Sequence, residues 1–143
     1  MAQTIKSIFI NLPIKDLQKT RAFWQALGFA FNEQFCDDKA LCLVLREDSV
    51  YAMLITPEFY ATFTPRPIAD GSTTQVLFAI AVDSRAMVDE LVQKAVALGA
   101  KRYLPPQDDG WMYYDRFEDL DGHQWEVLYA DLAALGGASP SAG

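Results

Sequence analysis

The sequence is poor in the residues that most catalytic and metal-binding chemistry draws on. Its 143 residues include one histidine, His123, and two cysteines, Cys36 and Cys42. Two cysteines are too few for the disulfide framework of a small secreted domain. Cys42 lies in an apolar run and reads as a small buried hydrophobe, while the charges of Asp37 and Asp38 beside Cys36 oppose thiolate formation. Both thiols are expected to be reduced. Basic residues are also scarce, with 12 Lys and Arg against 19 Asp and Glu and a net charge of −7. A surface of that sign repels phosphate backbones and anionic lipid faces, so neither nucleic acid nor membrane is an expected partner. No apolar run approaches the roughly 18–20 residues that a membrane span needs. Residues 1–6 are too few and too polar ahead of the first strand to form a signal peptide, so the expected location is the cytoplasm. A P-loop, a dinucleotide glycine motif, a metalloprotease helix and a nucleophile elbow are all missing.

What is present suits one globular domain, since 51% of residues are apolar and 22% are charged. Residues 7–12 read as a strand rich in β-branched and aromatic side chains, and Pro13 limits further pairing. Asp16 is a good helix N-cap, Gly28 is a typical stop, and Phe23, Trp24 and Leu27 form the buried stripe of a helix over residues 17–27. Strands are predicted at 29–34, 40–45 and 50–55, with Pro57 ending the last. Residues 58–74 form the middle connection. Phe59, Tyr60 and Phe63 predict a short helix or packed loop there, before a flexible crossing through Pro65, Pro67 and Asp70-Gly71-Ser72.

The order then recurs. Residues 75–82 read as a strand, Asp83-Ser84 offers an N-cap, and Met87, Val88, Leu91, Val92, Ala95 and Leu98 fall at helical spacing before Gly99. A short strand at 101–104, a loop at 105–110 and strands at 111–117 and 124–129 follow, the last two joined by the turn Asp119-Leu120-Asp121-Gly122. Residues 138–143 read as a frayed tail. A single domain over 1–137 is thus expected from two similar modules, about 5–57 and 75–131, linked by 58–74.

Two stretches resemble the vicinal oxygen chelate superfamily, which includes glyoxalase I, bleomycin-resistance proteins and extradiol dioxygenases. Asn11-Leu12-Pro13-Ile14-Lys15-Asp16-Leu17, with Ala22-Phe23-Trp24 and Leu27-Gly28-Phe29, looks like its opening module, with Trp24 where Tyr is usual. Residues 117–127 look like its closing hairpin, with Leu120 where Pro is usual. The resemblance implies an α+β fold in which two βαβββ modules form a cup-shaped mixed sheet with helices outside. It also implies small-molecule binding in the cup and homodimers in many relatives.

Function in that superfamily depends on four strand positions, usually His or Glu, that hold a divalent metal acting as a Lewis acid. By resemblance, these positions fall at or near Phe9, Met53, Leu77 and Glu126. Phe9 and Leu77 have no donor atom, and Met53 offers a soft thioether, poor for Ni, Zn, Mg or Mn. Glu126 is the only possible hard-metal ligand among them, with the Asn11 amide an optional neighbour. A catalytic zinc usually needs about three protein ligands. A standard metal centre is therefore not expected, and no cofactor is implied beyond a divalent metal in the alternative reading below.

The remaining candidates carry two readings each. Glu126 points away from Trp125 and Val127 by strand alternation, either toward the cup as a tentative acid or base or toward solvent. Asn11, between Ile10 and Leu12, is either a polar anchor or an amide satisfied by backbone. Trp111, Tyr113 and Asp115 share one strand face; Met112, Tyr114 and Arg116 share the other. The aromatics Trp111 and Tyr113 line a pocket, or belong to the core or a dimer contact. Tyr51, Met53 and Ile55 share a face and form a candidate opposite wall. His123, in a turn, reads as structural. Two functions compete: a carrier or sequestering protein for a small cationic or amphipathic molecule, and a divalent-metal-dependent lyase, isomerase or dioxygenase.

Overall fold

In the computed structural model, which describes residues 2–135, local sequence sets the first helix at both ends. Helix α1 (Leu17–Leu27) begins where the Asp16 carboxylate accepts the Lys19 N–H at 3.0 Å, and stops at Gly28, whose φ of 108° suits a residue without Cβ. The expected tail at 138–143 lies outside the described residues.

The chain divides into two compact units at Thr73/Thr74. The first comprises β1 (Ile8–Pro13), α1, β2 (Ala30–Phe31), β3 (Ala40–Arg46), β4 (Val50–Ile55) and the single-turn α2 (Pro57–Tyr60). Its sheet has the order β1-β4-β3-β2, with β1 and β4 parallel and the other pairs antiparallel. Leu12, Leu54 and Leu41 lie side by side across three strands, and all are buried with Phe23, Trp24 and Leu27 of α1. That apolar face, removed from water, supplies most of the unit's stability. The alternate residues Phe9, Asn11, Tyr51, Met53 and Val44 point the other way.

The second unit comprises β5 (Phe78–Ala81), α3 (Arg85–Ala97), β6 (Gln107–Asp108), β7 (Met112–Glu118) and β8 (Gln124–Ala130), in the sheet order β5-β8-β7-β6. Again the first and last strands in sequence pair parallel, and the rest pair antiparallel. Val88, Val92 and Ala95 of α3 are buried with Phe117, Trp125 and Val127. Ser84 caps α3 by accepting the Met87 N–H at 3.1 Å. Among the described residues no helix is long and apolar enough to cross a membrane.

Several boundaries differ from expectation. The strand at 29–34 shortens to β2, because the Asn32 side chain accepts the Gln34 N–H and starts a 3-10 turn over Glu33–Phe35. The strand at 75–82 begins only at Phe78 and ends at Ala81. The stretch 101–104 contributes an isolated Lys101–Glu118 bridge, and the short edge strand β6 lies inside the segment expected to be a loop. Arg85 secures that edge with two bonds to the Asp108 carboxylate, at 2.8 and 3.1 Å. Pro13 stays within β1, where it needs no ladder donor at the edge; Ile14 N–H continues the pairing to Ile55 O.

Candidate functional site

The turn between β7 and β8 fixes the residues that follow it. Asp119 is buried, and its carboxylate accepts the backbone N–H of Asp121 at 2.9 Å and of His123 at 3.0 Å, and the Trp125 Nε1–H at 3.0 Å. Burial raises the Asp119 pKa, opposed by the nearby His123 and by these donors. His123 thus belongs to the turn. Trp125 is clamped against Phe78 with ring centroids 4.9 Å apart, so its strand neighbour Glu126 is turned to the opposite, open face of the sheet.

On that face Glu126 lies directly beside Ala79 of β5 and Arg116 of β7. Glu126 is half-buried, and its carboxylate makes no hydrogen bond or ion pair among the described residues. Arg116 is only 8% exposed. Its guanidinium sits 4.7 Å from the Tyr114 ring centre, and its Nη2–H donates to Gln107 Oε1 at 3.2 Å. Its Nε–H is buried and has no acceptor. Tyr103 lies two residues beyond the isolated Lys101–Glu118 bridge, within electrostatic reach of Glu126, Arg116 and Glu118, and its hydroxyl is also buried without a partner. Burial raises the Tyr103 pKa; the charges of Glu126 and Glu118 add to the rise, and that of Arg116 opposes it. Sequence reasoning paired Arg116 with Met112 and Tyr114 but did not select it. Its place opposite Glu126 follows from a hairpin that closes at Asp119 and His123. Tyr103, outside any strand, gives no comparable signal.

Tyr113 and Trp111 lie on the other side. Tyr113 is on the α3-facing side of β7: its hydroxyl donates to Asp89 at 2.5 Å, the Arg85 guanidinium covers its ring, and the Asp89 bond helps push its pKa up to about 12. Trp111 immediately precedes β7, is half-buried, and its carbonyl accepts the Asp131 N–H. The neighbouring Asp115 is fully buried and paired with Arg102 through two bonds of 2.6 and 3.2 Å.

In the first unit, four predicted residues share one face. Phe9 and Tyr51 stack with ring centroids 4.8 Å apart and an interplanar angle of 12°, and Phe9 remains 50% exposed. Asn11 and Met53 are direct neighbours on β1 and β4. Cys42, beside Met53, is fully buried, and burial raises its thiol pKa. Leu77 falls outside the strands, just before β5, and is 51% exposed. An open depression of about 370 Å³ beside α2, lined by Asp38, Lys39, Thr56, Glu58, Phe59 and Thr62, contains none of these candidates.

The donor set does not fit a divalent-metal centre. Among the described residues no group of three or more His, Cys, Asp or Glu side chains is placed to hold a metal ion. Beside Glu126 stand a methyl group and a cation, where a metal requires further anionic or imidazole donors.

Comparison with known proteins places this geometry. The sequence pattern described as the Glyoxalase/Bleomycin resistance protein/Dioxygenase superfamily matches residues 6–127. No curated protein matches the sequence. Among solved structures, hypothetical protein SA1046 from S. aureus is 26% identical with a TM-score of 0.76, over 90% of this chain and 96% of that one. The fosfomycin resistance protein FosX from Listeria monocytogenes is 21% identical with a TM-score of 0.64, over 94% of this chain and 98% of that one. A bleomycin resistance determinant encoded on the transposon Tn5 is 19% identical with a TM-score of 0.60, over 89% of this chain and 99% of that one. The last two likenesses bear on fold alone. Two four-stranded mixed sheets with helices correspond to the α+β fold of these proteins. The chain belongs to the glyoxalase/bleomycin resistance protein/dioxygenase superfamily.

Proposed function

We propose that this protein binds a small cationic or amphipathic molecule on an open sheet face, without the His/Glu metal centre of its metal-dependent relatives. The reading rests on the donor set: the positions that the resemblance aligns with metal ligands hold Phe9, Met53 and Glu126 on strands and Leu77 just before β5, with one hard donor among them. The acidic chain favours a cationic partner, and the exposed Phe9–Tyr51 stack offers an aromatic surface to an apolar one. Glu126, with no partner of its own, is free to accept a hydrogen bond or ion pair from a ligand amine, or to move a proton at its carboxylate.

The second reading, a divalent-metal-dependent lyase or dioxygenase, draws on Glu126 alone, which the resemblance aligns with the superfamily's last ligand position. A thermal-shift screen separates the two. Small cationic amphiphiles are expected to raise the melting temperature, with saturation at 100 times Kd worth about 2.7 kcal/mol. Ni, Zn, Mn and Fe are expected to leave it unchanged. Stabilisation by a metal, accompanied by metal-dependent turnover, contradicts the proposal.

A further inference from the structure

Two buried donors, the Arg116 Nε–H on β7 and the nearby Tyr103 hydroxyl, have no acceptor, and two carboxylates on the open face of β7 and β8 have no donor. The Arg116 guanidinium is held by Gln107 and by the Tyr114 ring, so it is not free to swing toward another partner, yet its Nε–H is unsatisfied. The Tyr103 hydroxyl beside it is equally unsatisfied. Buried polar groups in native proteins are nearly always paired, so two orphans in one place call for an acceptor that arrives from outside. Glu126, directly across from Arg116, and Glu118, two residues further along the same face of β7, form no ion pair among the described residues.

The charge pattern selects among ligands. A simple amine satisfies Glu126 and leaves Arg116 and Tyr103 unmet. A simple anion satisfies Arg116 and meets repulsion from Glu126 and Glu118. A group that carries both charges meets both needs. Side chains directly opposed across two strands start about 4.5–5.5 Å apart, which suits charges borne on the same or adjacent carbon atoms. Resting on the small-molecule reading above, we propose that the polar end of the ligand is a zwitterion. Its carboxylate or comparable oxyanion accepts from Arg116 Nε–H and Tyr103 O–H, and its ammonium donates to Glu126.

Three probes test this on the full chain: phenylalanine, phenethylamine, which lacks the carboxylate, and 3-phenylpropanoate, which lacks the ammonium. Affinities are measured by calorimetry, and the Arg116 Nε–H resonance is followed by NMR. Phenylalanine is expected to bind at least about tenfold more tightly than either relative, the difference made by one charge-assisted hydrogen bond, and to move the Arg116 resonance. Tyr103→Phe removes only the orphan hydroxyl. It is expected to leave the unliganded fold intact, to weaken phenylalanine severalfold and to leave phenethylamine unchanged. Glu126→Gln is expected to weaken phenylalanine and phenethylamine but not 3-phenylpropanoate. Equal affinities for phenylalanine and phenethylamine overturn the zwitterion while the small-molecule reading stands. An Arg116 resonance that none of the probes moves, the result of a water bridging the two donors, overturns it too, as does the absence of binding by all three. The small-molecule reading itself fails only if the broader amphiphile screen also finds no ligand.

Discussion

The two sheets repeat one strand order, yet one equivalent rung of each carries different chemistry. Asn11 and Ala79 each stand five residues before the N-cap of their module's helix. In the first module Asn11 leads across to Met53 and Cys42; in the second Ala79 leads across to Glu126 and Arg116. One rung is filled by sulfur-bearing side chains around an amide, the other by an unpaired carboxylate beside a buried cation. The helix-facing sides share a buried apolar base, Leu41, Leu43 and Leu54 in one and Phe117, Trp125 and Val127 in the other, to which the second adds the buried Asp115–Arg102 pair. Stability is therefore carried on the helix-facing sides, which leaves the open rung free to take on different chemistry in each copy.

The hairpin turns beside those rungs give the largest expected effect. The β7–β8 turn is anchored by buried Asp119 with three donors, whereas the β3–β4 turn relies on Asp48 at a φ of 66°. Asp119→Ala is expected to destabilise the protein by roughly 2–4 kcal/mol, through three lost hydrogen bonds and their orphaned donors. Asp48→Gly, by relieving a left-handed conformation, is expected to be neutral or to stabilise by up to about 1 kcal/mol. Urea unfolding of both variants measures the contrast, and equal losses would erase it.

Exchanging the rungs sharpens the comparison. Met53→Glu places a carboxylate against buried Cys42 and is expected to cost about 1–3 kcal/mol. Glu126→Met removes a carboxylate that has no partner and is expected to change stability by less than about 1 kcal/mol in either direction. Thermal melting of the two variants checks the asymmetry, and a severe loss in Glu126→Met would make Glu126 structural.

The smallest effect is at the surface. Arg85, with help from the Gly110 N–H, holds the Asp108 pKa at about 2, down from 3.8. A depressed carboxylate pKa contributes stability that is complete above the unfolded value of 3.8 and is lost as pH falls through about 2. Arg21 lowers the Glu33 pKa in the first module in the same way. Both pairs are exposed, so acid titration followed by NMR is expected to show the shifts clearly, while Asp108→Asn barely moves the melting temperature and salt weakens the effect further.

Much of the scaffold was readable from local signals. The Asp16 cap and Gly28 stop bound α1, and the repeat of cap, amphipathic helix and Leu-Gly stop reveals the second module. What escaped was set by tertiary pairing. Gln107–Asp108 is short, polar and preceded by two prolines, and it forms an edge strand only because β7 and Arg85 receive it. At the candidate site, Glu126 was legible from its place after the Asp-Gly turn. Tyr113 was not, because alternation alone does not say which face of β7 meets α3. Tyr103 owes its position to the bridge between Lys101 and Glu118, which no local pattern announces.

Whether Glu126 and Arg116 meet a ligand directly, without a metal between, is tested most directly by calorimetric titration of Zn²⁺, Ni²⁺ and Mn²⁺ into chelator-treated protein. No stoichiometric binding in the micromolar range is expected, for the wild type and for Glu126→Gln alike. One equivalent of metal bound tightly by the wild type and lost in Glu126→Gln would contradict it.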